Sequence, residues 1–183
     1  MTELTEFQRK LSALLPDVEL RFEEALAKHT SFRIGGNAGV MAFPKTKEEL
    51  ADILKACAEL NHKCAILGAG TNVLAPDEGV RGLVVCLKDC LGGMERLDET
   101  RIRVMAGMTM ARAAVNAANL GLAGMEFAHG IPGTVGGGVY MNAGAYGGEI
   151  CQICESVEVM DFDGKLFRLS NTEMAFSYRH SVL

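Results

Sequence analysis

The chain has 183 residues, 49% of them hydrophobic and 22% charged, and 18 Lys and Arg against 23 Asp and Glu leave a formal net charge of −5. That length holds one large or two small domains with a real core, and the composition excludes a disordered or fibrous chain. No apolar run approaches the roughly 20 residues of a membrane span, the start Met1 to Glu6 has neither part of a secretory signal, and an acidic chain lacks the basic stripe that nucleic acid demands. A cytoplasmic protein with neither nucleic acid nor membrane as partner is expected.

Leu4, Phe7, Leu11 and Leu14 recur at helical spacing before Pro16, which predicts a packing helix from about Glu3 to Leu14. After His29 to Asn37, an apolar strand is expected over Val40 to Phe43. The capping box Thr46-x-x-Glu49 opens a helix with Leu50, Ile53, Leu54 and Cys57 on one face, ending near Asn61. Lys63 to Leu67 reads as a buried strand running into Gly68-Ala69-Gly70-Thr71-Asn72, and Gly82 to Leu87 as another, giving a βαβ pattern with a glycine turn. A Rossmann turn would need G-x-G-x-x-G opening a helix. Pro76 stops any such helix, so the turn offers its N–H groups and the Thr71 hydroxyl to a phosphate without one. Asp77 reads as a turn residue.

Further along, Ile102, Val104 and Ala106 alternate, and Met110 to Leu120 forms an alanine-rich helix with Thr109 as N-cap and Gly121 as stop. Ten of the chain's 21 glycines fall between Gly121 and Gly148, each costing about 0.5–1 kcal/mol of ordering relative to alanine. So poor in side chains, this stretch reads as a cradle whose freed N–H groups form a nest for a phosphate-bearing cofactor. Asp163-Gly164 between Ser156 to Phe162 and Lys165 to Leu169 signals a hairpin. The box Ser170-x-x-Glu173 starts a brief helix before Phe176 to Ser181. A composition shift near residue 88 indicates two subdomains sharing one ligand, a small α/β unit followed by an antiparallel sheet with helices.

Of the six cysteines, Cys57, Cys64 and Cys86 read as buried small hydrophobes. Cys151 and Cys154 have CxxC spacing but no second pair or βα turn, so neither metal nor redox chemistry is expected there. His129 reads as a hydrogen-bonded structural residue with contact to the bound cofactor as the alternative, His29 and His62 as peripheral. Met105, Met108, Met110 and Met141 read as core fillers.

Five motifs occur in order: Thr30-Ser-Phe-Arg-Ile-Gly-Gly36, Gly68-Ala-Gly-Thr-Asn-Val-Leu74, Gly130-Ile-Pro-Gly-Thr-Val-Gly136, Met141-Asn-Ala-Gly-Ala-Tyr-Gly-Gly148 and Tyr178-Arg-His-Ser181. From about residue 25 onward the chain thereby resembles the UDP-N-acetylenolpyruvoylglucosamine reductase family of peptidoglycan precursor synthesis, in its more compact subtype. The resemblance implies an α+β fold of the vanillyl-alcohol-oxidase type with two FAD-binding subdomains, residues 29–87 and 88–183, after an N-terminal helical segment, 1–28. It implies FAD held without a covalent link, Asn37 standing where related covalent flavoenzymes often have histidine, and NADPH as electron donor. By the same resemblance Gly68, Ala69, Gly70, Thr71 and Asn72, with Gly130, Ile131, Pro132, Gly133, Thr134 and Gly136, wrap the pyrophosphate and adenosine. Asn142, Ala143 and Gly144 approach the flavin. Arg179 matches the family's catalytic arginine and Tyr178 a substrate-side hydrogen-bonding group. A guanidinium there suits negative charge building on the enolpyruvyl carboxylate. The family's chains continue into a domain that closes over the UDP-sugar and supplies a serine or cysteine proton donor and a glutamate. These 183 residues are therefore expected to be a truncated form without the substrate-binding C-terminal domain. A non-catalytic FAD-binding module and a dioxygen-using flavin oxidase of the same superfamily are the alternatives.

Overall fold

The computed structural model describes residues 4–88 and 90–183. They fall into two units, one made of the residues up to Cys90 with Met160–Lys165, the other of Leu91–Val159 with Leu166–Leu183. Among the described residues no helix is long and apolar enough to cross a membrane.

In the first unit, Thr5 starts helix α1 (Glu6–Leu14) with a reciprocal capping box. Its hydroxyl accepts from Gln8 N at 3.2 Å, and Gln8 Oε1 accepts from Thr5 N at 2.8 Å. The Glu3 start of the predicted helix lies outside the described residues. Residues 19–25, placed within an N-terminal helical segment by the sequence reading, instead form strand β1 (Glu19–Ala25). Alternation in Glu-Leu-Arg-Phe-Glu-Glu is the period-2 signal that reading missed. After a 3-10 turn at Leu26–Lys28 come β2 (Asn37–Phe43), α2 (Lys47–Glu59), β3 (Cys64–Leu67) and β4 (Val80–Cys86).

Helix α2 begins as expected, Thr46 Oγ1 accepting from Glu49 N at 3.1 Å, although the Glu49 carboxylate reaches back to Lys45 N at 2.7 Å rather than to the cap itself. It stops at Asn61, whose φ of +52° ends the helical path. The sheet has the order β1-β2-β4-β3, with β1 antiparallel to β2 and the other pairs parallel. Two apolar layers cover it. Val40, Ala42, Leu83 and Val85 pack with Leu11, Leu15, Ile53, Ala56 and Cys57, and Ala38, Met41, Val84 and Cys86 pack with Leu26, Leu67 and Ala75. Ala38 and Met41 share a layer despite odd spacing because the β2–β4 register shifts between Ala38 and Val40. Strand β3 is not the buried strand expected. It lies at the sheet edge and leaves Ile66 51% exposed.

The second unit pairs its strands in short ladders: β5 (Met94–Arg96) with β6 (Ile102–Val104), β7 (Gly144–Ala145) with β8 (Gly148–Glu149), and β9 (Ser156–Met160) with β10 (Leu166–Ser170). Helix α3 (Met110–Asn119) has Thr109 as N-cap and Gly121, at φ +73°, as stop, as the sequence indicated. Helices α4 (Val135–Tyr140) and α5 (Ile150–Ile153) are short. The core joins Met110, Ala114, Phe127, Ala128 and Ile150. Two expectations change. The β9–β10 connection spans residues 161–165, which count with the first unit, and is organised by Asp161 Oδ1, which accepts from Asp163 N at 3.0 Å and Lys165 N at 2.8 Å. Ser170-x-x-Glu173 makes its cap bonds but opens turns, not a helix, because Ala175 at φ +46° diverts the chain.

Candidate functional site

The first candidate is the loop Gly68 to Asn72, which leaves β3 at the edge of the first unit's sheet. Gly70 has φ +62°, and a Cβ there would lie 2.1 Å from His29 O and 2.9 Å from Thr30 Cα. Glycine is thus required because the backbone of residues 29–36 crosses the loop, and the two segments are laced together. Ser31 N donates to Gly70 O at 3.0 Å and Gly36 N to Pro76 O at 2.9 Å. Gly79 N also donates to Pro76 O at 3.0 Å, which makes Asp77 part of a turn as read from sequence. Among the described residues, the N–H groups of Gly68, Ala69, Gly70 and Asn72 donate to no backbone carbonyl. Apolar side chains are exposed on the same laced segments: Phe32 at 61%, Ile34 at 49%, Val73 at 38% and Leu74 at 71%. Amides without a backbone acceptor beside exposed apolar side chains suit a ligand that joins a phosphate to flat apolar rings.

The second candidate is the glycine-rich stretch of the second unit, where the structure corrects the reading of freed amides. Gly130 ends a 3-10 turn at Glu126–Gly130, and Ile131, Pro132 and Gly133 lead into Thr134, a buried N-cap whose hydroxyl accepts from Gly137 N at 3.4 Å. Val135 N donates to Met108 O at 2.8 Å, Gly136 N to Ala106 O at 2.9 Å and Gly138 N to Thr134 O at 2.8 Å. A Cβ at Gly136 would lie 2.9 Å from Ala106 Cβ. What approaches this backbone is the unit's own chain.

The third candidate is the turn Ser177-Tyr178-Arg179-His180. Ser177 N donates to His180 O at 3.1 Å and His180 N to Ser177 O at 3.2 Å, with Arg179 at φ +54°. The buried Ser181 holds the far end, its hydroxyl donating to Tyr140 O at 2.8 Å. Tyr178 is 82% exposed, with the guanidinium carbon of Arg179 5.2 Å from its ring centroid. Arg179 donates from Nη2 to Gly144 O at 3.1 Å and from Nη1 to Asn142 O at 3.5 Å, and among the described residues it forms no ion pair.

Asn142, Ala143 and Gly144 therefore lie beside Arg179. Asn142 is buried, and its side chain joins Glu149, Cys151 and the Ser177 carbonyl. Sequence reasoning missed this network, although asparagine just past a helix end and the Glu149-x-x-Gln152 box at α5 are its local signals.

The remaining candidates divide. His129 is exposed at the end of its 3-10 turn. His29 Nε2 lies 2.9 Å from Glu24 Oε1, and the hydrogen bond from His29 holds the Glu24 carboxyl below its usual range. Cys57 is buried and Cys64 half-buried. The Cys57 thiol bonds to Cys64, which pushes Cys57 up and Cys64 down in pKa. Cys151 Sγ is 3.6 Å from Glu149 Oε2, and burial raises the Cys154 thiol. Among the described residues no group of three His, Cys, Asp or Glu could hold a metal ion.

Residues 38–170 match the FAD binding domain family. The chain is 41% identical over 170 residues to the UDP-N-acetylenolpyruvoylglucosamine reductase of Clostridioides difficile, covering 93% of this chain and 56% of that one. It is 45% identical over 165 residues to the enzyme of the same name from Halalkalibacterium halodurans, covering 90% and 54%. The crystal structure of the Thermus caldophilus enzyme superposes with a TM-score of 0.70 at 33% identity, over 91% of this chain and 57% of that one. The glucooligosaccharide oxidase of Acremonium strictum superposes with a TM-score of 0.67 at 16% identity, over 93% and 38%, which shows a common fold. The fold is that of the vanillyl-alcohol-oxidase type expected from the motifs. The chain spans slightly over half the length of the curated relatives it matches.

Proposed function

The chain belongs to the FAD binding domain family, and on that premise we propose that it is the flavin-binding part of a cytoplasmic, NADPH-dependent reductase. In this reading it converts UDP-N-acetylenolpyruvoylglucosamine to UDP-N-acetylmuramate for peptidoglycan synthesis. Support for the substrate comes from the reductases that align over nine-tenths of the chain. One observation carries the reading beyond flavin binding. Arg179 stands exposed in a tight turn, held by two main-chain carbonyls and, among the described residues, by no carboxylate.

Flavin fits the first unit, where the Gly68 to Asn72 loop offers amides to a pyrophosphate and Phe32, Ile34, Val73 and Leu74 offer apolar surface to rings. FAD, bound without a covalent link, supplies acceptance of a hydride from NADPH and its donation to the enolpyruvyl double bond. The chain's own residues then deal with charge. As the double bond is reduced, negative charge spreads into the substrate carboxylate, and Arg179 opposes it with a planar, permanently protonated fork. The carbonyls of Asn142 and Gly144 hold that fork in place without neutralising it. Tyr178 is exposed beside it and offers a hydroxyl to the sugar nucleotide. Closure over the UDP-sugar and delivery of the proton belong, in this proposal, to the part of the relatives that the 183 residues do not span.

The test is oxidation of NADPH dependent on the enolpyruvyl substrate, measured with this chain extended by the length of its relatives that it does not span, and with the Arg179→Ala variant of that protein. Turnover falling by at least about a hundredfold with flavin content unchanged supports the reading, in line with the loss of one preorganised charge-stabilising group. Equal turnover in both proteins removes Arg179 from the reaction. Rapid reoxidation of reduced flavin by dioxygen, with no response to the UDP-sugar, would favour the oxidase alternative.

A further inference from the structure

Asn142 is one of the buried polar side chains of the second unit. It is 1% exposed and has φ +41°, a backbone region that asparagine tolerates better than most residues. Its Nδ2 donates to Glu149 Oε2 and to Ser177 O, each at 3.0 Å, and its Oδ1 accepts from Cys151 N at 3.0 Å. These three bonds use both amide hydrogens and fix the amide's orientation, since a flipped amide would set Nδ2 against Cys151 N–H and Oδ1 against two acceptors.

The partners make the arrangement directional. Ser177 O is the carbonyl that opens the turn carrying Arg179, and it also accepts from His180 N across that turn. The same asparagine's main-chain oxygen accepts from Arg179 Nη1. One buried residue thus holds the neck of the turn through its side chain and the cation through its backbone. The turn itself cannot supply that order. Arg179 at φ +54° occupies a region costly for a bulky residue, which persists only where its surroundings impose it.

We propose that Asn142 is a positioning residue for Arg179, fixing the guanidinium where a substrate carboxylate can meet it. This rests on the reductase reading above only for the identity of the carboxylate. Placing the fork matters because small displacements of a charge-stabilising group cost about 10- to 100-fold in rate. No electron or proton passes through Asn142.

The experiment uses the full chain labelled with 15N, with the Arg179 side-chain signals identified by their loss in Arg179→Lys. A guanidinium held on two carbonyls should show separate signals for its two terminal nitrogens at low temperature, whereas a free one averages them by rotation. Asn142→Gly keeps the positive φ while deleting the amide and should collapse the signals to one. Asn171→Ser is the control. It deletes two bonds of the same unit, to Cys151 O at 2.8 Å and Cys154 O at 2.7 Å, that do not touch the turn, and it should leave the Arg179 signals resolved. In the assay for the enolpyruvyl substrate, Asn142→Gly should lower kcat by about 10- to 100-fold with FAD content unchanged.

Resolved signals in Asn142→Gly would overturn the inference, as would equal collapse in Asn171→Ser, which would mean general loosening. Averaged signals in the wild-type chain overturn it without any variant having to fold. Absence of enolpyruvyl-dependent turnover in the protein extended by the rest of its relatives' length would instead defeat the reductase reading, while the nitrogen signals still decide whether Asn142 pins the side chain.

Discussion

The loop at Gly70 and the stretch around Gly136 look alike in sequence, yet glycine serves them differently. At Gly70 the demand comes from backbone crossing backbone, with His29 O where a Cβ would stand and a positive φ in addition. The N–H groups of Gly68, Ala69, Gly70 and Asn72 donate to no backbone carbonyl among the described residues. Around Gly136 the nearest atom is a side-chain one, Ala106 Cβ at 2.9 Å, with Ala106 O behind it at 3.2 Å, and the amides are spent within the unit. Glycine density therefore does not measure ligand approach. The unspent amides do.

The sharpest way to break this comparison is Gly70→Ala. Neither the carbonyl it meets nor the φ it needs can be trimmed away, so a loss on the order of 3 kcal/mol is expected in urea unfolding. A loss under about 1 kcal/mol would show that the crossing yields easily.

Gly136→Val comes next, with a loss of about 1–3 kcal/mol from overpacking and a fall in flavin content that follows from it. Here the nearest offending atom, Ala106 Cβ, can be trimmed. Pairing Gly136→Ala with Ala106→Gly should recover most of what Gly136→Ala loses, a coupling readable in a double-mutant cycle. Simple additivity of the two changes would mean that something other than Ala106 imposes glycine at 136.

The smallest effect is a pH handle confined to the second unit. Asp98 Oδ1 accepts from the N–H groups of Thr100 and Arg101, and its Oδ2 meets Arg101 Nε, which lowers its carboxyl from 3.8 to about 2. A carboxyl depressed in the folded state contributes stability above pH about 4 and loses it as the pH falls through about 2. Asp98→Asn should therefore melt slightly below wild type at neutral pH, and the gap should close between pH 4 and 2. A gap independent of pH would assign the effect to packing.

Much of this architecture was legible before folding. The helices at Thr46 and Thr109 start at their caps, and Asn61 and Gly121 end them, because capping and left-handed stops are local chemistry. Strand β1 was missed, and β3 was misjudged as buried, since sheet order is a long-range property that Lys63 to Leu67 does not encode. Ser170-x-x-Glu173 carries a correct cap on a segment that tertiary context ends at Ala175. The Arg179 motif was visible, but its support was not. The bonds from Asn142 to Glu149 and Ser177 join residues 7 and 35 positions apart, and no periodicity announces a contact of that kind.

The central claim is that this chain holds FAD without a covalent bond, on the amides of Gly68, Ala69, Gly70 and Asn72. Acid precipitation of the flavin-loaded chain tests it most directly, with the absorbance of supernatant and pellet read side by side. Yellow FAD released wholly into the supernatant is the predicted result. Colour retained in the pellet, or a folded chain that takes up no FAD when it is supplied, would contradict it.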